Sequence, residues 1–267
     1  MADGSASTYV CVITGASRGI GRATAAALVT RGATIVTLGR DPERSTIVCD
    51  LASFASIRRA ASEVAARWPH IDLLVNNAGV HHAGRVMSVD RIERTLAVNH
   101  LAPLLLTELL LPKLEGAPKS RVLTVSSSLA QWGRIHFDDL QLTRRYGGTR
   151  AYLQSKLANI MFTLTLAERL RGSSVTAACV YPGLVATDLL NEHWWWRAPW
   201  LRPLWRGIFL SPNDAGQSVA RASAIELDSS GGTCFSATGR RVAPPRQARD
   251  AAARRRLWDM SVALVSS

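Results

Sequence analysis

At 267 residues, 47% of them apolar and 19% charged, the chain is long enough for one sizeable α/β core and too apolar for disorder. Its net charge of +12 rests on arginine, since only Lys113, Lys119 and Lys156 among the 32 basic residues are lysine. The arginines are dispersed apart from a denser stretch at 240–256, with no recognition-helix or zinc-finger pattern, so no nucleic-acid partner is expected and anionic small ligands are.

Cys11, Cys49, Cys179 and Cys234 are widely spaced without any C-x-x-C pair and are expected as buried thiols. Residues 1–8 lack a basic n-region and an apolar h-region. The longest apolar runs, such as 101–111, are too short and interrupted to span a bilayer, and a cytoplasmic setting is expected.

In chain order, strands are expected at 9–14, 34–38, 46–49, 71–75, 120–126 and 175–181, with a weaker one near 233–236. Helices are expected at 19–31, 53–67, 88–114, 151–171, 212–227 and 246–264. This alternation predicts an α/β fold, a doubly wound parallel sheet with ligands at the strand C-termini. Only the loop from Gly39 to Ser45 separates the second and third strands, too little for a crossover helix, so the covering helix there is expected to be missing.

Thr14-Gly15-Ala16-Ser17-Arg18-Gly19-Ile20-Gly21 follows the first strand and opens the first helix. Backbone N–H groups and the helix dipole at such a junction suit a pyrophosphate, and glycine lets the backbone approach it. At the end of the second strand a carboxylate would bind ribose hydroxyls and repel a 2′-phosphate. Gly39 and Arg40 stand there instead, with Arg18 as a second guanidinium, a pattern that favours NADP(H). Further on, Tyr152-Leu153-Gln154-Ser155-Lys156 puts a phenol and an ammonium one helical turn apart.

These segments, taken with Asn76-Asn77-Ala78-Gly79, Val98-Asn99-His100-Leu101, Val125-Ser126-Ser127, Gly133-Arg134-Ile135-His136-Phe137 and Pro182-Gly183-Leu184-Val185-Ala186-Thr187, resemble a short-chain dehydrogenase/reductase. The resemblance runs from about residue 9 to residue 262, and the second half is similar to the retinol-dehydrogenase-like branch. That branch shares the long interval of 25 residues from Ser127 to Tyr152. It implies a Rossmann-type fold in a single dinucleotide-binding catalytic domain over 1–267.

It also implies a catalytic set of Asn99, Ser127, Tyr152 and Lys156. Tyr152 would give a proton to the carbonyl oxygen as a hydride arrives at the carbon, and Ser127, the second residue after Val125, would orient that oxygen. Lys156 would favour the phenolate and anchor the nicotinamide ribose, and Asn99 would position a water path toward Lys156. The cofactor contacts implied are Gly15, Ser17, Arg18, Gly19, Ile20, Gly21, Arg40, Asp50, Leu51, Asn77, Ala78, Gly79, Tyr152, Lys156, Pro182, Gly183, Val185 and Thr187. No metal is expected, and His81, His82, His100 and His136 are expected to be structural or substrate-lining.

Five of the eight tryptophans fall within 191–211, a stretch with no strand signal. In the family this position is a substrate lid (about 188–211), with Trp195 and Trp200 as wall residues for a bulky apolar substrate. A membrane-interface contact, a dimer contact and simple packing on the domain are the alternatives, and the membrane contact is not favoured over the wall. The function expected is NADPH-dependent reduction of a bulky apolar aldehyde or ketone, reversible to alcohol oxidation, in a homodimer or homotetramer. The alternatives are a ketoreductase tailoring a polycyclic or polyketide metabolite, and a non-catalytic NADP(H)-binding regulator.

Overall fold

Among the described residues, eight strands hydrogen-bond into one sheet in the order β3-β2-β1-β4-β5-β6-β7-β8, all parallel except the last pair. The computed structural model describes residues 9–183, 210–227 and 232–266. The strands are β1 (Val10–Thr14), β2 (Thr34–Gly39), β3 (Ile47–Val48), β4 (Leu73–Asn76), β5 (Ser120–Val125), β6 (Val175–Val180), β7 (Thr233–Phe235) and β8 (Arg241–Val242). The helices are α1 (Gly19–Val29), α2 (Phe54–Arg67), α3 (Arg94–Glu115), α4 (Gly148–Arg169), α5 (Pro212–Ala224), α6 (Arg246–Arg249) and α7 (Ala251–Ser266).

The period-2 alternation of a strand divides the core into two layers. Val10, Val12 and Leu74 join the layer beneath α2, α3, α4 and α7, while Cys11, Ile13, Leu73 and Val75 join the layer beneath α1 and α5. Every residue of β1 is buried, as expected of a central parallel strand covered on both faces. All four cysteines are buried free thiols.

Residues 88–114 are not one helix. Arg91 turns with φ 59° and Ser88 N–H donates to the Ile92 carbonyl at 2.7 Å, so the helix begins only at Arg94. Glu93 caps it, its carboxylate accepting from the N–H groups of Thr95 and Leu96 at 2.9 and 2.7 Å. Helix α3 has the length and apolarity to cross a bilayer, yet 78% of its apolar window is buried inside the protein, the signature of a core helix.

The expected helix over 246–264 is interrupted at Asp250, whose carboxylate caps a new helix start by accepting from Ala252 and Ala253 N–H. Helix α4 starts at Gly148, earlier than expected, and the antiparallel β8 was not anticipated at all. No helix joins β2 to β3. A two-residue strand that pairs only Leu38 with Ile47 and Gly39 with Val48 needs to step back one residue, not the length of the sheet. The intervening loop closes on itself through Thr37 and Thr46.

Candidate active site

The C-terminal ends of β1, β2, β4, β5 and β6 open into one cleft of about 500 Å³. At one end lie Gly15, Ser17, Arg18, Gly19, Ile20 and Gly21, and at the other Ser127, Tyr152 and Lys156. Arg40, Asp50, Leu51, Asn77, Ala78, Gly79, Pro182 and Gly183 also line it.

The glycines in the loop play separate roles. Gly15 and Gly19 have φ values of 69° and 56°, the left-handed region that disfavours a side chain. A Cβ at Gly21 would collide with the Gly15 carbonyl oxygen and the Asn77 side chain, so this glycine closes the loop on itself. A Cβ at Gly19 would meet nothing within 4 Å, which leaves the start of α1 open to the cleft. An open helix N-terminus beside Arg18 and Arg40 fits the phosphates of a dinucleotide.

Thr14 and Asn77 lock the loop to the sheet. The Thr14 hydroxyl oxygen accepts from the N–H groups of Asn77 and Ala78, both at 3.0 Å, and Asn77 Nδ2 donates to the Thr14 and Gly15 carbonyls at 2.9 and 3.3 Å. Asn77 therefore binds its neighbours' backbone, as an amide at a strand end can. Asp50 Oδ1 accepts from Ala52 N–H at 3.0 Å.

At the chemical end, Ser126 and Ser127 point to different tasks. The Ser126 hydroxyl donates to the Lys156 carbonyl at 2.8 Å, tying β5 to α4. The Ser127 hydroxyl accepts from Leu129 N–H at 3.1 Å and lines the cleft together with Tyr152. The Lys156 ammonium, buried, donates to the Val125 carbonyl at 3.0 Å and stands 5.8 Å from the centre of the Tyr152 ring.

Asn99 sits in a π-turn of α3 over Ala97–Leu101, the kind of bulge found at functional sites. Its amide grips Val80 in both directions, accepting from the N–H at 2.7 Å and donating to the carbonyl at 2.9 Å. It also donates to Ser155 Oγ at 2.9 Å, and Ser155 donates to the Tyr152 carbonyl. The protein contacts of Asn99 thus run to Val80 and, through the Ser155 hydroxyl, to the Tyr152 carbonyl on α4.

Burial pushes the Tyr152 phenol up to about 12, with the Ser127 hydrogen bond pulling the other way, and burial draws Lys156 down from 10.5 to about 8.

Val185, Thr187, Trp195 and Trp200 lie outside the described residues. The sequence reading missed Val80, Leu129, Val98 and Arg94 as cleft residues. Arg94 is the notable one, because its Nε is buried without a hydrogen-bond partner. Its signal in the sequence is a cation five positions before Asn99, at the head of an otherwise apolar helix.

A family model for short chain dehydrogenases matches residues 9–198. Human retinol dehydrogenase 11 is 38% identical over 275 residues, spanning 96% of this chain and 85% of that protein. A crystal structure of a Mycobacterium paratuberculosis protein, 32% identical, superposes with a TM-score of 0.77 over 97% of this chain and 94% of its own. The fold is also that of an NADPH-bound carbonyl reductase from chicken fatty liver, at 22% identity and a TM-score of 0.68 over 88% and 99% of the two chains. With a parallel sheet, a glycine loop and a serine–tyrosine–lysine cluster in one cleft, the chain belongs to the short-chain dehydrogenases, a family of nicotinamide-dependent oxidoreductases.

Proposed function

We propose that the protein reduces the carbonyl of a bulky apolar aldehyde or ketone with NADPH, and runs the reverse alcohol oxidation when the cofactor is oxidised. The observation that carries this reading is the gathering of Ser127, Tyr152 and Lys156 in the same cleft as the glycine loop. Likeness to a retinol dehydrogenase supports an apolar substrate.

The cofactor, when bound, supplies the hydride. Residues 15–21 would hold its pyrophosphate, and Arg18 and Arg40 a 2′-phosphate, since guanidinium forks match phosphate oxygens. Ser127 would orient the substrate oxygen and Tyr152 would donate the proton to it. Lys156, drawn down to about 8 by burial, would pass a proton to the phenolate. Asn99 would hold the Gly79–Val80 turn in place through its paired hydrogen bonds. The same reading takes the enzyme as a cytoplasmic homo-oligomer, which fractionation and light scattering address.

The test is NADPH consumption against a panel of carbonyls graded in size. Faster turnover of bulky apolar aldehydes or ketones than of small ones supports the reading. If no carbonyl raises NADPH consumption above the blank, the protein is not this reductase.

A further inference from the structure

A second cavity, of about 390 Å³, lies in the insert between β5 and α4 and shares no lining residue with the cleft. Its wall carries Arg134, Arg144, Arg145, Arg150 and Arg256, against only two carboxylates, Asp138 and Asp139. We propose that this cavity is a binding site for a phosphate group, borne by a soluble phosphate ester or by a lipid headgroup.

The carboxylates do not cancel the arginines. Asp139 turns onto its own loop, accepting from Thr143 N–H and Oγ1–H, both at 2.7 Å, and from Arg144 N–H at 3.0 Å. Asp138 faces Arg256 at 3.4 Å, and Arg150 donates to the Arg145 carbonyl at 3.1 Å. Among the described residues, the guanidinium groups of Arg134, Arg144 and Arg145 make no hydrogen bond or ion pair. Three charged forks on one concave wall match the several oxygens of a phosphate, where one carboxylate would leave donors unused.

The wall is built, not draped. Gln154 accepts from His136 N–H at 2.9 Å and donates to the Leu140 carbonyl at 2.8 Å, while Gln247 accepts from Ile135 N–H at 2.9 Å. The Arg256 guanidinium lies over the Phe137 ring at 4.6 Å, which fixes that cation on the rim. Desolvation, then Arg150 and Arg134, lower the His136 pKa against the pull of Asp139, as a wall rich in positive charge does. The volume exceeds that of inorganic phosphate alone and falls in the range of small-molecule sites, leaving room for the group that carries the phosphate.

The experiment uses the full chain at constant ionic strength, with inorganic pyrophosphate as probe and melting temperature as readout. Wild type should show a saturable rise. The triple variant Arg134→Ala/Arg144→Ala/Arg145→Ala should need about tenfold more probe or keep only the response of the cofactor cleft, whose glycine loop also takes pyrophosphate. Arg18→Ala/Arg40→Ala, which alters only the cofactor cleft, should keep the part of the response that the triple variant loses, so failure of this site and failure of the NADPH reading are separable. Asp138→Asn, at an exposed side chain whose loss threatens no fold, should tighten binding.

Co-sedimentation with phosphatidic acid vesicles, set against phosphatidylcholine vesicles, distinguishes the source. Arginine-dependent capture by the former marks a lipid headgroup, and a pyrophosphate response alone marks a soluble ester. The proposal is overturned if the triple variant behaves as wild type in both assays, or if sodium chloride at matched ionic strength reproduces the response.

Discussion

Thr14→Val isolates one hydroxyl at the junction of sheet and cofactor loop. Thr14 is 3% exposed, and valine keeps its shape while removing the oxygen that accepts from two backbone N–H groups at 3.0 Å. A buried donor left without a partner costs about 1–3 kcal/mol, and Asn77 and Ala78 are only half-buried, so the pair together costs roughly 2–4 kcal/mol. For a domain of this size about 2–4 °C of melting temperature is lost per kcal/mol, which gives a fall of roughly 5–15 °C.

The loosened residues, 77–79, also line the cleft, so NADPH affinity measured by fluorescence titration should weaken alongside stability. Thr14→Ser, which keeps the acceptor and loses only a methyl, should recover most of both. A Thr14→Val protein melting within about 1 °C of wild type would refute the argument. A serine variant as unstable as the valine one would move the cause from the hydroxyl to the methyl.

Tyr152→Phe should lower kcat by at least about a hundredfold, the low end for general acid catalysis, while NADPH affinity measured by titration changes little. Arg40→Asp should turn the ratio of kcat/KM for NADPH over NADH toward NADH, and a wild-type preference for NADH would contradict the reading of Arg40 before any variant is made. Lys156 releases its proton at about 8 in the folded protein and near 10.5 when unfolded, so the folded state binds fewer protons between those values and stability should rise with pH across that window. Lys156→Met should flatten the rise in melting temperature. His100, buried against Ser261, has its pKa lowered from 6.5 to about 4 by burial, so stability should fall as pH drops from 6.5 toward 4, and His100→Gln should flatten that fall.

Local spacing was enough for the strand–glycine–helix junction at 9–21 and for the phenol and ammonium one turn apart on α4. The parallel sheet followed from apolar runs separated by helical segments, because both signals are carried by residues near one another in the chain. Even the missing helix between β2 and β3 was legible, since it depended only on counting the residues available to cross.

Tertiary structure decided what depends on residues far apart. That Ser126 binds the Lys156 carbonyl while the Ser127 hydroxyl takes Leu129 N–H at the edge of the cleft turns on how β5 lies against α4, and three consecutive serines look alike in a sequence. Asn99 grips Val80 because a π-turn in α3 aims it there, and Arg94 enters the cleft because the helix starts six residues later than its apolar pattern suggests. The burial that moves the Tyr152 and Lys156 pKa values has the same origin. A one-turn spacing reveals which charge is nearby, but the cost of desolvation depends on everything packed around the pair.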